Sequence, residues 1–185
     1  MTTFCHTIDY APVFPAQFSF ETSDPESLPH APLITRARFG PGFSLPPHYH
    51  PAQTETYDVN AGVLEMSVAG RRYEVGPGDK CEIPPGVVHD LNVRGQEPVE
   101  VMNSLDPGLR GQEFLSATAR LIDEGKITSL TGVRSGIYVA LIFKEYRDIS
   151  VSARPPDFVI RLLARLGGVL GYRIRLAAIR NERVS

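Results

Sequence analysis

The chain has 185 residues, of which 42% are hydrophobic and 22% charged, and its formal net charge is −2. A chain of this length buries enough apolar surface that neither disulfides nor a metal ion are needed merely to hold the fold. Its two cysteines, Cys5 and Cys81, are too few and too far apart for a disulfide framework. They indicate free thiols in a reducing compartment.

The N-terminus lacks the charged region and apolar run of a secretion signal, because residues 1–10 are mixed and polar. The longest uncharged apolar stretch, residues 136–143, is far shorter than the roughly 20 residues that span a bilayer. We therefore expect a cytoplasmic protein.

Residues 1–30 are punctuated by proline and predict an irregular segment with room for one strand, near Gln17 to Glu21. From residue 31 to 104, short β-branched or alternating runs are separated by glycine and proline, which is typical of strands joined by turns. The predicted strands span residues 34–39, 54–59, 63–68, 73–75, 81–83, 89–93 and 99–103. Many short strands without a helical period between them favour a β-sandwich or barrel over βαβ units.

The sign of the charge changes near residue 104. Residues 1–104 carry 6 basic and 13 acidic side chains, whereas residues 105–185 carry 13 basic and 8 acidic ones. A turn signal, Leu105-Asp-Pro-Gly108, lies at the same place. Beyond it, apolar residues recur at helical spacing, so residues 105–185 are predicted to be a helical extension. The predicted helices span residues 114–122, ended by Gly125, residues 135–146, and a third stretch from Asp157 through Leu166.

Histidines and a glutamate in the barrel region form a candidate metal site. His48 and His50 are two residues apart, so on a strand both imidazoles project from the same face. Glu55 lies at an odd step from His50, and a break of the strand at Pro51-Ala52 would absorb the change of parity. His89 is contributed by another strand.

Three neutral imidazoles and one carboxylate suit one divalent transition-metal ion, namely Fe, Mn, Ni, Zn, Co or Cu, and suit Mg or Ca poorly. Four protein ligands around an octahedral ion leave two positions for water, substrate or O₂, as in catalytic rather than structural sites. The pattern does not choose among these metals.

The surroundings of these residues resemble the two motifs of the cupin family. Residues 42–62 match the first motif, G(x)5HxH(x)4E(x)6G, at every spacing, and residues 78–89 match the second, G(x)5PxGxxH. The asparagine that the family has four residues after the last histidine is Val93 here, with Asn92 one position early.

The resemblance implies a mainly-β protein of the RmlC-like type, an antiparallel double-stranded β-helix or jelly-roll barrel with an ion near its mouth. It implies a single-domain cupin at residues 31–104, of a kind that often forms homodimers. The four metal ligands that it implies are His48, His50, Glu55 and His89.

Four other side chains are candidates for contact with a small-molecule substrate. Tyr57 shares the parity of Glu55 and is predicted to point into the barrel, where Met66 and Met102 are predicted apolar lining. Arg38, if it pointed inward, would bind the carboxylate or phosphate of an anionic substrate; an exposed position is the alternative.

The segment 158–180 combines apolar side chains with five arginines. It predicts either a helix packed on the barrel or across a dimer, or a basic amphipathic helix on an anionic membrane surface. Glycines at positions 167, 168 and 171 favour packing over a long surface helix. The segment has no paired helix-turn-helix pattern and little net charge, which argues against nucleic-acid binding.

Two classes of function follow from these patterns. The first is an enzyme, an oxygenase or isomerase that acts on a small molecule at a mononuclear metal site. The second is a non-catalytic module that binds a small ligand through the ion and uses its helical tail for assembly or docking.

Overall fold

The computed structural model describes residues 4–21 and 30–174, with only the backbone of residues 4 and 5. Within these ranges the chain forms a series of short strands followed by three helices. One more short strand lies between the second and third helices. The strands are β1 Phe4–Asp9, β2 Ala16–Glu21, β3 Leu33–Phe39, β4 Ser44–Tyr49, β5 Thr54–Ala61, β6 Leu64–Val68, β7 Arg71–Val75, β8 Lys80–Ile83, β9 His89–Asn92, β10 Val99–Asp106 and β11 Val151–Ser152. The helices are α1 Gly111–Asp123, α2 Val133–Glu145 and α3 Asp157–Val169.

The strands form two antiparallel sheets that enclose a common apolar core. Six strands lie in the order β1-β2-β3-β10-β5-β8 and five in the order β11-β4-β9-β6-β7. The chain crosses repeatedly between the sheets, for example from β3 to β4 and from β4 to β5, which is the connectivity of a jelly-roll barrel. The predicted fold class, a mainly-β jelly roll with a helical C-terminal region, is confirmed.

All seven strands predicted between residues 31 and 104 are present, but β4 was not among them. Its sequence contains Pro46 and Pro47, which cannot donate to a ladder and therefore argue against a strand. The pairing of β4 with β9 is irregular between Leu45 and His48, and this irregularity accommodates the prolines.

The N-terminal segment is more regular than the sequence predicted. The strand expected near residue 17 is β2, and residues 4–9 form a second strand that pairs with it. The β2 strand pairs with β3 from Ala16 opposite Phe39 to Phe20 opposite Thr35. Phe20 is buried, so this hairpin extends the six-stranded sheet and covers part of the core.

The three predicted helices are all present, and Gly125 ends the first with a positive φ of 63°. Part of the 158–180 segment, beyond residue 174, lies outside the described residues. In the described part of the chain, no helix has the length and apolarity that crossing a bilayer requires. The short strand β11 was not predicted; it joins the helical extension to the barrel by pairing with β4.

Helices α2 and α3 approach closely at Gly167, where a β-carbon would lie 2.5 Å from Cγ2 of Ile137. Gly167→Ala should therefore lower the free energy of unfolding by about 1–3 kcal/mol through overpacking. Gly168→Ala is the matched control, because a β-carbon there meets only the end of the Arg173 side chain at 4.0 Å. It should stabilise the helix by up to about 1 kcal/mol. Urea unfolding measures both, and equal effects would contradict the close packing.

Candidate metal centre

The four candidate ligands converge from both sheets. His48 on β4 lies directly opposite His89 on β9, both in the five-stranded sheet, and their ring centroids are 4.2 Å apart. His50 follows the end of β4, whereas Glu55 lies on β5 in the six-stranded sheet. The odd step to Glu55 therefore does not reflect a strand that breaks and resumes, as the sequence suggested. The chain crosses to the opposite sheet, so the carboxylate meets the imidazoles across the interior of the barrel.

The ligand atoms of this cluster lie close together and away from solvent. One donor atom from each of the four residues lies within 4.8 Å of all the others. Oε2 of Glu55 is 2.8 Å from Nε2 of His89 and 3.2 Å from Nε2 of His50. The exposed fraction of each of the four residues is at most 7%, so bulk water has little access to the cluster.

Backbone carbonyls fix the tautomer of all three imidazoles. Nδ1 of His48 lies 2.9 Å from the Pro46 oxygen, and Nδ1 of His89 lies 3.0 Å from the Val87 oxygen. Nδ1 of His50 lies 2.6 Å from the oxygen of Ile149 in the helical extension. Because a carbonyl oxygen only accepts, each neutral ring carries its proton on Nδ1 and directs the lone pair of Nε2 into the cluster.

These contacts provide a direct test of whether the residues suit a metal ion. With each ring proton on Nδ1, Nε2 of His50, Nε2 of His89 and Oε2 of Glu55 are buried and have no hydrogen-bond donor among the described residues. Lone pairs on three facing atoms repel one another unless a cation lies among them. Imidazole nitrogens fixed through their other ring nitrogen are typical ligands of divalent transition metals. The buried cluster is therefore able to bind a metal ion.

Two further side chains orient Glu55. The hydroxyl of Tyr57 donates to Oε1 at 2.9 Å, and Nδ2 of Asn103 donates to the same oxygen at 3.0 Å. Asn103 also donates to the backbone oxygen of Thr56, which fixes its own position. Because Oε1 is held by two donors, Oε2 is the oxygen that faces the imidazoles.

Burial and charge act on the cluster in opposite directions. Burial disfavours the anion of Glu55, but the adjacent His50 and His89 hold its pKa well below the ordinary value. Burial also disfavours the cation of His50, yet the adjacent Glu55 charge raises its pKa. Burial lowers the pKa of His48 to about 3, with the charges of His89 and His50 adding to the effect. Without an ion, these shifts favour a proton on His50 beside the Glu55 anion.

The predicted substrate-contact residues divide between the two faces of the sheets. Tyr57 is inside the barrel and contacts Glu55, and Met66 is also buried on the inner face. Arg38 lies on the outer face, where its side chain is 53% exposed and 3.7 Å from Glu100. Arg38 thus has the exposed orientation of the two that were predicted. It does not point into the barrel, where it could bind an anionic substrate.

The prediction for Met102 is corrected by the alternation along β10. Val101 and Leu105 are buried, and Asn103 shares their parity. Met102 therefore lies on the outer face, opposite the exposed residues Arg36 and Asp58. The apolar character of Met102 suggested an inward position. The alternation that buries Val101 instead places Asn103 on the inner face of β10.

The family asparagine that the sequence lacks has no counterpart at the cluster. Val93 is buried in the apolar core. Asn92 accepts a hydrogen bond from the hydroxyl of Ser44 and donates to Asp90, away from the ligand atoms. The substitution thus leaves the arrangement of the four candidate ligands intact.

Sequence reasoning missed Asn103, which contacts Glu55, and two buried polar residues. Gln53 is completely buried and neither polar atom of its amide has a hydrogen-bond partner among the described residues. The hydroxyl of Thr35 is likewise buried without a partner, on the strand position opposite Asn103. Gln53 shares the parity of Glu55, which is the signal that would have placed it on the inner face. Both groups are available to water or to a bound ligand.

Comparison with known proteins gives a family match to the barrel. Residues 35–105 match the family model described as Cupin domain. Germin-like protein 1-1 of Oryza sativa subsp. japonica is 33% identical over 90 residues, which cover 46% of this chain and 42% of that protein. Germin-like protein subfamily 2 member 1 of Arabidopsis thaliana is 31% identical over 90 residues, covering 46% and 41%. The chain thus spans about two fifths of the length of these relatives.

Solved structures with a similar barrel were also found. An RmlC-like cupin from Shewanella frigidimarina NCIMB 400 aligns with a TM-score of 0.47 and 17% identity, covering 55% of this chain and 83% of that one. A predicted oxalate decarboxylase from Thermotoga maritima aligns with a TM-score of 0.46 and 19% identity, covering 54% and 96%.

The opposite pKa shifts of His48 and His50 predict a stability maximum for the metal-free protein near pH 6.5, the ordinary histidine value. Below it, the unfolded chain takes up a proton at His48 that the folded chain does not bind, so acidification favours unfolding. Above it, the folded chain keeps a proton at His50 that the unfolded chain has released, so stability falls as the pH rises through the raised pKa.

Chemical unfolding in the presence of a chelator, between pH 5 and 8.5, measures these two slopes. His48→Gln should flatten the acid side and His50→Gln the alkaline side. Slopes unchanged from the wild type in both variants would show that the cluster does not control this profile.

Proposed function

We propose that this chain, whose residues 35–105 match the Cupin domain model, is a metal-dependent enzyme, an oxygenase or isomerase that acts on a small molecule. The observation that carries the proposal is the buried cluster of three imidazoles and one carboxylate, whose ligand atoms lie within 4.8 Å of one another. Four protein ligands leave about two positions free on a six-coordinate ion, which is a property of catalytic sites.

The ligand set itself limits the chemistry. Nε2 of His48, His50 and His89 and Oε2 of Glu55 would hold the ion, and this set suits Fe, Mn, Co, Ni, Cu or Zn. When bound, such an ion supplies a Lewis acid for an oxygen-containing substrate or, with a redox-active metal, electrons for O₂ chemistry.

The other residues of the chain prepare the site for a small substrate. Tyr57 and Asn103 hold one oxygen of Glu55 so that the other remains directed at the ion position. Burial of the cluster excludes bulk water, which strengthens the electrostatic interactions made there. The two unpartnered polar groups, on Gln53 and Thr35, would hydrogen-bond the part of the substrate that does not contact the ion.

The test begins with metal loading. Purified protein stripped with a chelator and titrated with Fe²⁺, Mn²⁺ or Co²⁺ should bind one ion per chain. Glu55→Gln should weaken binding by more than the roughly 10- to 100-fold that loss of an outer-shell partner costs, because it removes the only carboxylate ligand. Glu82→Gln on β8, whose side chain is exposed, is the matched control and should bind the ion as the wild type does.

Activity is then measured on the loaded protein, by O₂ consumption and by product analysis with a panel of small carboxylic acids, diketones and sugars. Turnover that requires the ion and is lost in Glu55→Gln but kept in Glu82→Gln supports the enzyme. A protein that holds one ion per chain and turns over no member of the panel contradicts it.

A second candidate function, a non-catalytic binding module that assembles through its tail, is favoured by the surface of α3. Four apolar side chains repeat along one exposed face of this helix: Phe158, Leu162, Leu166 and Val169. The nearby cations Arg147 and Arg161 are both paired with Asp157, at 2.9 and 3.2 Å. Asp157 offsets one of these two positive charges, which weakens the attraction of this apolar face to an anionic lipid surface and favours a second copy of the chain.

Leu162→Glu tests the second candidate. If the protein dimerises through α3, light scattering should show a dimer for the wild type and a monomer for the variant, with the barrel still folded. Pelleting of the wild type with anionic vesicles, abolished by the same change, would instead favour the membrane alternative. A wild-type monomer that does not pellet would rule out both.

A further inference from the structure

The carbonyl that accepts from Nδ1 of His50 lies in a different part of the chain from the carbonyls that accept from His48 and His89. His48 and His89 each donate to the carbonyl two residues earlier in the chain. His50 donates to Ile149, which lies 99 residues further along the chain and outside the barrel. Two ligands are thus positioned locally, whereas the third depends on the docking of the helical extension.

The segment that supplies this carbonyl, residues 146–154, connects α2 to α3, and we call it the strap. Its first part is a turn in which the N–H groups of Ile149 and Ser150 both donate to the oxygen of Tyr146. The turn directs the Ile149 carbonyl towards the barrel. Tyr146 and Ile149 are among the most completely buried side chains, so the turn is anchored by apolar packing.

The second part of the strap runs along β4, which carries His48 and ends just before His50. Val151 pairs with Tyr49 and Ser152 pairs with His48, as β11 against β4. The N–H groups of Ala153 and Arg154 continue the contact by donating to the oxygen of Pro47. The strap therefore contacts the backbone on both sides of His48 as well as the ring of His50.

We infer that the strap is part of the metal site, so that ion binding and strap docking stabilise each other. This inference rests on the proposed function only in requiring that the cluster binds an ion. With the strap docked, His50 keeps its proton on Nδ1 and its Nε2 lone pair faces the ion position. With the strap displaced, Nδ1 loses its acceptor and the ring is free to change tautomer and orientation, which weakens ion binding. Thermodynamic reciprocity then requires that the ion favours the docked strap.

The first experiment compares two isoleucine truncations within the helical extension. Ile149→Ala removes packing that holds the strap, whereas Ile160→Ala removes an equally apolar buried side chain between α2 and α3. Affinity for Co²⁺ is measured by competition with a chromophoric chelator. Ile149→Ala should weaken Co²⁺ binding about 10- to 100-fold, the range for loss of an outer-shell partner, and Ile160→Ala less than about 2-fold.

The second experiment uses the wild type alone and remains informative if Ile149→Ala fails to fold. Hydrogen exchange of the strap amides is followed by mass spectrometry with and without Co²⁺. Peptides that contain the amides of residues 149, 150, 153 and 154 should exchange at least about 10-fold more slowly with the ion. Peptides from α1, which donates no group to the cluster, are the internal control and should change much less.

The outcomes separate this inference from the proposed function. If the wild type binds Co²⁺ but the strap exchanges at the same rate with and without the ion, the inference is wrong and the proposed metal site stands. The same holds if the Ile149 and Ile160 variants fold and bind Co²⁺ equally well. If the wild type binds no divalent transition metal, both the proposed function and the inference fail.

Discussion

Three acceptor atoms converge in the interior of this barrel, and the contacts around them hold them in place. Nε2 of His50, Nε2 of His89 and Oε2 of Glu55 lie close together, and the part of the chain that the structure describes offers them no hydrogen-bond donor. Such an arrangement costs free energy unless a proton or a metal ion lies among them. A proton on His50, favoured by the raised pKa of His50 and the lowered pKa of Glu55, is the weaker solution, because it leaves the other ligands uncompensated.

The jelly-roll connectivity explains how one short stretch of chain supplies ligands to both sides of this cluster. Between His50 and Glu55 the chain crosses from one sheet to the other, so ligands five residues apart approach from opposite walls. The imidazoles are then locked by carbonyls and the carboxylate by Tyr57 and Asn103. Each group that would touch an ion is therefore fixed through its other end, which lowers the reorganisation needed on binding.

The parts of this arrangement that could be predicted are those governed by local spacing. Strand and helix positions followed from periodicity and from glycine and proline, and the four candidate ligands from two spaced motifs. The inward position of Asn103 and the outward position of Met102 could have been predicted from parity, but the apolar character of methionine was given more weight than the alternation along β10. The carbonyl of Ile149 carries no residue-type signal, since every residue has one, and its contact with His50 depends on how distant segments pack. Long-range backbone contacts of this kind cannot be predicted from the residue pattern of a single sequence.

The strap also has a consequence for how the chain tolerates changes of length. Between α1 and α2, the exposed part of the loop around Leu130 would accept added residues at little cost, because loop closure depends only weakly on length. Between Tyr146 and Val151 the register is fixed at both ends, by burial of the tyrosine and by the β11 pairing. One inserted residue there would shift the carbonyl away from His50 or reverse the faces of β11. Homologous chains that keep the extension are therefore expected to vary in the first loop and to conserve the length of the second.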